Sequence, residues 1–149
     1  MKNLLSVIFA GAALAASCAW AGNLASPVGL WTSVDDDTGK PNAMIRLTES
    51  AGYFQGKIEK VIAGPGQDPN PKCTKCQDGG KGKPINDMII LAGLHKDADE
   101  YNGGHLLDPF TGKVYKCKME LIEGGKKLKV RRYIGVSILG STQIWTRAD

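Results

Sequence analysis

The segment Gly29-Leu30-Trp31 opens the first predicted strand, and Trp145-Thr146-Arg147 closes the last one. In a small antiparallel barrel the first and last strands are neighbours, so the start of one lies beside the end of the other. We therefore predict that Trp31 plugs one end of a barrel and that the Arg147 guanidinium stacks on its indole ring. The alternative is that the two tryptophans belong to the core of a two-sheet sandwich.

Between these ends the chain alternates short strand-like runs with clusters of Gly, Pro, Asn and Asp. No segment keeps a helical period over its length, which indicates an all-β fold. About eight sequential strands joined mostly by tight turns predict an antiparallel up-and-down barrel, because closure removes the exposed edges. The predicted strands are 29–34, 43–49, 53–62, 87–95, 101–107, 114–122, 127–134 and 142–147.

The N-terminal residues are typical of a cleaved secretory signal. Lys2 supplies the charged region, an apolar run follows, and Ala19-Trp20-Ala21 matches a cleavage site. We predict a signal peptide at 1–21, a single barrel domain at 22–149 and a periplasmic location. The apolar run is too short to span a bilayer, and no later run is longer, so we expect no transmembrane segment.

The cleavage site and the charge limit the other possibilities. A lipoprotein acylated at Cys18 is the alternative, but it would need a leucine where Ala15 stands. After the loss of Lys2, 18 of the 19 basic residues remain against 15 acidic ones, a net charge of +3. This charge is small and scattered, so we expect no nucleic-acid partner.

The exported chain would keep three cysteines, of which Cys73 and Cys76 form a Cys-x-x-Cys motif and Cys117 stands apart. We predict a disulfide between Cys73 and Cys76 with Cys117 as a buried thiol; a bond from one of the pair to Cys117 is an alternative. A zinc site that adds His95 or His105 and a redox dithiol are further alternatives. The motif has neither the paired spacing of a zinc knuckle nor a helix after it, so we expect no metal and no cofactor.

One long irregular segment, 63–84, precedes the fourth predicted strand. Loops of this length in a compact domain are usually functional or mobile. The strand that follows begins with the apolar run 88–91, so either the loop covers it or it exposes an apolar patch. The loop's lysines are expected to be solvated, with an anion-attracting rim over a pocket as the alternative: Lys72, Lys75, Lys81 and Lys83.

The pattern Asp-x-x-Thr-Gly-Lys occurs twice, at 35–40 and at 108–113. An aspartate can hydrogen-bond the backbone of its own turn, and the glycine tolerates a positive φ. Neither copy has the spacing of a glycine-rich phosphate loop or of a calcium-binding EF-hand. We predict that both are structural turns.

Arg132 interrupts the alternation of apolar and polar residues in strand 127–134. Counting by two from Leu128 and Val130 places Arg132 on the inward face. A β-bulge would turn its side chain outward; otherwise the guanidinium points into the barrel and needs a carboxylate or an anionic ligand. We favour the bulge.

Motifs along the whole mature chain carry a family resemblance: Gly29-Leu30-Trp31, Asp37-Thr38-Gly39-Lys40, Gly56-Lys57-Ile58, Cys73-Thr74-Lys75-Cys76, Gly104-His105-Leu106-Leu107-Asp108-Pro109, Thr111-Gly112-Lys113-Val114-Tyr115, Leu128-Lys129-Val130-Arg131 and Thr142-Gln143-Ile144-Trp145-Thr146-Arg147. Together they resemble a bacterial exported family, domain of unknown function 2147. The resemblance implies a calycin-type barrel, similar to lipocalins and avidin. That family carries no established activity, so the resemblance implies no catalytic residue.

We predict a non-enzymatic barrel that binds one small apolar or amphipathic molecule at its open end. His95 and His105 have no nearby Ser or Asp arranged as a catalytic triad. Arg132, if it points inward, would contact an anionic group of the ligand. The predicted ligand contacts are Phe54, Tyr115, Met119, Arg132 and Trp145.

The alternative function is an interaction module. The fourth strand and the connector 135–140 are both apolar and would offer a surface to an envelope protein or to a second copy of the chain. An enzyme is the third possibility, and it would depend on zinc or redox chemistry at Cys73 and Cys76.

Overall fold

The computed structural model describes residues 23–149, so the predicted signal peptide and Cys18 lie outside the described residues. Eight antiparallel strands form one closed barrel in which each strand pairs with the next and the last pairs with the first. This confirms the up-and-down barrel and excludes the sandwich. The strands are β1 (Gly29–Val34), β2 (Pro41–Ser50), β3 (Tyr53–Val61), β4 (Ile89–Asp97), β5 (Glu100–Leu107), β6 (Val114–Ile122), β7 (Lys127–Tyr133) and β8 (Gly140–Arg147).

The strands form because apolar residues alternate with polar ones, which gives each strand one buried and one wetted face. In β2, for example, Ala43, Ile45 and Leu47 are buried. Successive connections lie at opposite ends of the barrel. The turns 35–40 and 108–113, the long loop and the β7–β8 connector surround one end, and the tighter β2–β3, β4–β5 and β6–β7 turns surround the other.

That second end is sealed by Trp31 and Arg147, the two residues that the sequence analysis assigned to barrel closure. Trp31 of β1 and Arg147 of β8 lie opposite each other where these two strands pair. Trp31 is fully buried, and its indole Nε1 donates a hydrogen bond to the Pro27 carbonyl at 2.8 Å. Arg147 Cζ lies 4.3 Å from the centroid of the Trp31 ring. The guanidinium also donates to three carbonyl oxygens at 2.8–3.0 Å, those of Ser26, Val28 and Gly125.

Strand β4 begins two residues later than the sequence suggested and exposes little apolar surface. Asp87 has a φ of 69°, which breaks the extended backbone just before the strand. Ile90 and Leu91 are both buried, and the pairing of β3 with β4 shifts register near Gly56. Of the apolar run 88–91 only Ile89 is exposed, since Met88 is partly buried against the core, so this strand does not present the apolar patch considered above.

Within residues 23–149, no helix is long and apolar enough to cross a bilayer.

Candidate ligand-binding site

A cavity of about 960 Å³ occupies the end of the barrel opposite Trp31. Its rim consists of the two aspartate turns and the first part of the long loop. The volume falls in the range of roughly 300–1,000 Å³ that small-molecule sites occupy. Its floor is formed by inward-facing apolar side chains, among them Ala43, Ile45, Ile58, Ile90, Leu106, Val130 and Trp145.

The two copies of Asp-x-x-Thr-Gly-Lys form the same turn twice, as predicted. Asp35 Oδ1 accepts hydrogen bonds from the Thr38 amide at 2.8 Å and from its hydroxyl at 2.9 Å. Asp108 Oδ1 accepts in the same way from the Thr111 amide at 3.3 Å. Hydrogen bonds from Thr38 lower the pKa of Asp35, so this rim carboxylate is ionised at neutral pH. Both turns follow odd-numbered strands and therefore lie at the same end of the barrel.

Arg132 points into the barrel, and the predicted β-bulge is wrong. β7 pairs with β6 and β8 in unbroken register from Lys127 to Tyr133. The inward alternation of Leu128 and Val130 therefore continues to Arg132, whose side chain is only 18% exposed. A guanidinium in this position needs counter-charges from the protein or from a ligand.

The protein itself provides these counter-charges. The guanidinium pairs with Asp36 from the first turn, and its Nη1 lies 3.4 Å from Asp108 Oδ2 of the second. Its Nε donates to Ser141 Oγ at 2.9 Å, and its Cζ lies 5.0 Å from the centroid of the Tyr115 ring. Two carboxylates neutralise Arg132, so it is not free to hold an anionic group of a ligand, as the sequence analysis had considered.

A chain of hydrogen bonds connects the floor of the cavity to this ion cluster. Trp145 Nε1 donates to Gln143 Oε1 at 2.8 Å, and Gln143 Nε2 donates to Asp36 Oδ1 at 2.6 Å. Gln143, Asp36 and Asp108 were not predicted as site residues from the sequence. The repeated turn was the signal that could have found the aspartates, since it places both at the end of the barrel that Arg132 reaches.

The charged part of the rim is acidic. Among the described residues that line the cavity, five are aspartates, against Lys40 and Arg132. None of the four loop lysines 72, 75, 81 and 83 lines this cavity. The interpretation of those lysines as an anion-attracting rim is therefore not supported, and the wall favours uncharged or cationic groups over anions.

The five predicted ligand contacts separate into two groups. Tyr115, Arg132 and Trp145 line the cavity. Phe54 and Met119 are buried in the barrel core and do not line it. Phe54 instead packs edge to face against Tyr101, with ring centroids 4.9 Å apart. The candidate site therefore keeps three of the five residues.

Cys73 and Cys76 form the predicted disulfide, and Cys117 is a buried free thiol. Burial raises the pKa of Cys117 to about 12, which keeps the thiol protonated at neutral pH. The disulfide is itself buried, and the Cys73 sulfur lies 3.0 Å from the Pro109 carbonyl oxygen in the second aspartate turn. Neither the zinc set nor the accessible redox dithiol is formed by the described cysteines.

Comparison with known proteins agrees with this fold. The model of the family described as "Uncharacterized protein conserved in bacteria (DUF2147)" matches residues 29–147. No curated protein matches the chain. Among solved structures the chain is similar to protein HP1028 from Helicobacter pylori, which is described as belonging to the lipocalin family. The two share 17% identity over 83% of this chain and 84% of that one, with a TM-score of 0.70, a likeness of fold.

Proposed function

Because the chain belongs to the DUF2147 family and folds as a lipocalin-like barrel, we propose that it binds a small apolar or amphipathic molecule in its cavity. The observation that carries this proposal is the division of the cavity into an apolar floor and a polar rim. An apolar floor favours a hydrocarbon group by removing it from water. The acidic rim favours an uncharged or cationic head group.

We further propose that the protein holds its ligand without transforming it. Of the described residues that line the cavity, none is a histidine or a cysteine. The polar side chains near the floor are bound to one another: Asp36 and Asp108 to Arg132, and Gln143 to Trp145. Groups held in this way order the rim and are poorly placed to act as a general acid or base.

Binding can be tested with N-phenyl-1-naphthylamine, a neutral apolar dye whose fluorescence rises in an apolar site. Ala43 lies on the cavity wall, so Ala43→Trp fills part of the cavity and is expected to weaken dye binding about tenfold or more. The matched control is Ala92→Trp, which places the same side chain on the exposed face of β4 and should leave the affinity unchanged. Absence of dye binding, or equal affinity in the two variants, would contradict the proposal.

We also propose that the chain is exported to the periplasm and cut after Ala21. The signal-like N-terminus and the Cys73–Cys76 disulfide, a bond typical of oxidising compartments, support this. Mass spectrometry of the protein from a periplasmic fraction is expected to give a chain that begins at Gly22. A full-length chain confined to the cytoplasm would rule out export, and a lipid-modified Cys18 would favour the lipoprotein alternative.

A further inference from the structure

The β7–β8 connector is an exposed aliphatic tip beside the mouth of the cavity. We use the name aliphatic tip for residues 134–139. A cluster of exposed aliphatic side chains can mark a surface that meets a partner or a membrane. Four of its six side chains are aliphatic and between 59% and 81% exposed: Ile134, Val136, Ile138 and Leu139.

The carbonyl groups of the tip are already paired within the protein, whereas the amides of residues 135–138 have no partner among the described residues. Every carbonyl oxygen from residue 135 to residue 139 accepts a hydrogen bond. Arg131 donates to the Ser137 carbonyl at 2.6 Å and to the Ile138 carbonyl at 3.2 Å. Lys116 Nζ lies 3.4 Å from the Gly135 carbonyl oxygen. The Val136 carbonyl accepts a hydrogen bond from the Leu139 amide, and the Leu139 carbonyl accepts one from the Ile134 amide.

The paired carbonyls can approach an apolar medium at little cost, whereas the unpaired amides of residues 135–138 keep the backbone itself at the hydrated level of the head groups. A carbonyl that faces water needs no protein donor, whereas one that enters hydrocarbon without a donor costs several kcal/mol. The tip therefore exposes aliphatic side chains while its carbonyl groups are paired internally.

The base of the tip carries cations without carboxylate partners. On β6 and β7 the outward lysines Lys118, Lys127 and Lys129 pair with Glu100, Glu123 and Glu120. Within the described residues, Arg131 and Lys116 form no such ion pair. Asp36 and Asp108 both pair with Arg132 rather than with Arg131 or Lys116, and this cluster keeps one net negative charge in the rim of the cavity. Arg131 and Lys116, two cations without carboxylate partners, thus lie at the base of the aliphatic tip, where the head groups of a lipid layer would meet it.

We propose that the aliphatic tip inserts into the surface of a bilayer that contains anionic lipids. The aliphatic side chains enter the acyl boundary, and Arg131 and Lys116 lie among the anionic head groups. Insertion of the tip does not depend on the occupant of the cavity and is expected even if the cavity binds nothing. If both proposals hold, the mouth of the cavity lies next to the membrane surface.

The test is flotation of the barrel domain, residues 22–149, with vesicles of phosphatidylcholine alone or mixed equally with phosphatidylglycerol. The native protein is expected to float with the mixed vesicles. Ile138→Asp should weaken this binding about tenfold or more, because a charge replaces the most exposed aliphatic side chain of the tip. Lys116→Gln should weaken it about fivefold on mixed vesicles only.

The matched control is Leu24→Asp, which makes the same change at the closed end, where the side chain is 44% exposed. This variant should bind like the native protein, and all variants should unfold at the same temperature. The proposal is overturned if the native protein ignores mixed vesicles or if Leu24→Asp weakens binding equally. It is also overturned if the tip instead drives self-association in the absence of lipid, seen by sedimentation and abolished by Ile138→Asp.

Discussion

Trp31→Ala is expected to lower the free energy of unfolding by about 3–5 kcal/mol, the usual cost of truncating a buried tryptophan. The side chain is fully buried at the closed end of the barrel. Its loss leaves a cavity, removes the donor to the Pro27 carbonyl and takes away the ring against which Arg147 stacks. Urea unfolding followed by circular dichroism measures the change.

Trp31→Phe serves as the control for this experiment. Phenylalanine keeps an aromatic ring under the guanidinium but cannot donate to Pro27, so the expected loss is about 1–2 kcal/mol. A loss below about 1 kcal/mol for Trp31→Ala would show that the closed end does not depend on the indole plug.

Gly112→Ala is expected to cost about 3 kcal/mol or more and to detach the long loop from the barrel. A Cβ at this position would lie 1.9 Å from the Lys75 carbonyl oxygen, a backbone atom that cannot move without shifting the disulfide segment. Gly112 also has a φ of 73°, which disfavours any side chain. Urea unfolding gives the energy, and proteolysis within residues 63–84 reports the release of the loop.

The chain contains a matched control for this substitution. Gly39 occupies the same position in the first aspartate turn, with a φ of 67°, but a Cβ there would meet nothing within 4 Å. Gly39→Ala should therefore cost only the conformational strain, about 1 kcal/mol, with the loop still protected. Equal losses for the two variants would mean that the contact with Lys75 contributes nothing.

The two aspartate turns have the same local hydrogen bonding but different surroundings in the folded protein. Their hydrogen bonding follows from the Asp, Thr and Gly of each copy, and it was predicted correctly. Their different surroundings could not be predicted, because the close approach of Gly112 to Lys75 joins segments that are 37 residues apart in the sequence. The inward position of Arg132 was also not predicted. Its counter-charges, Asp36 and Asp108, come from turns that are distant in the sequence, so the local pattern gave no partner for an inward guanidinium.

The sequence by itself predicted the all-β class, the number and order of the strands, the closure of the barrel and the Cys73–Cys76 bond. These features depend on local signals: apolar residues that alternate by two, turn residues between them and a short spacing between cysteines. Only the tertiary structure decided which inward side chains line the cavity. Alternation says that Phe54, Met119, Tyr115 and Trp145 all point inward, but depth along the barrel depends on strand stagger and on which end is plugged. For that reason Tyr115 and Trp145 reach the cavity, while Phe54 and Met119 are buried in the core beneath it.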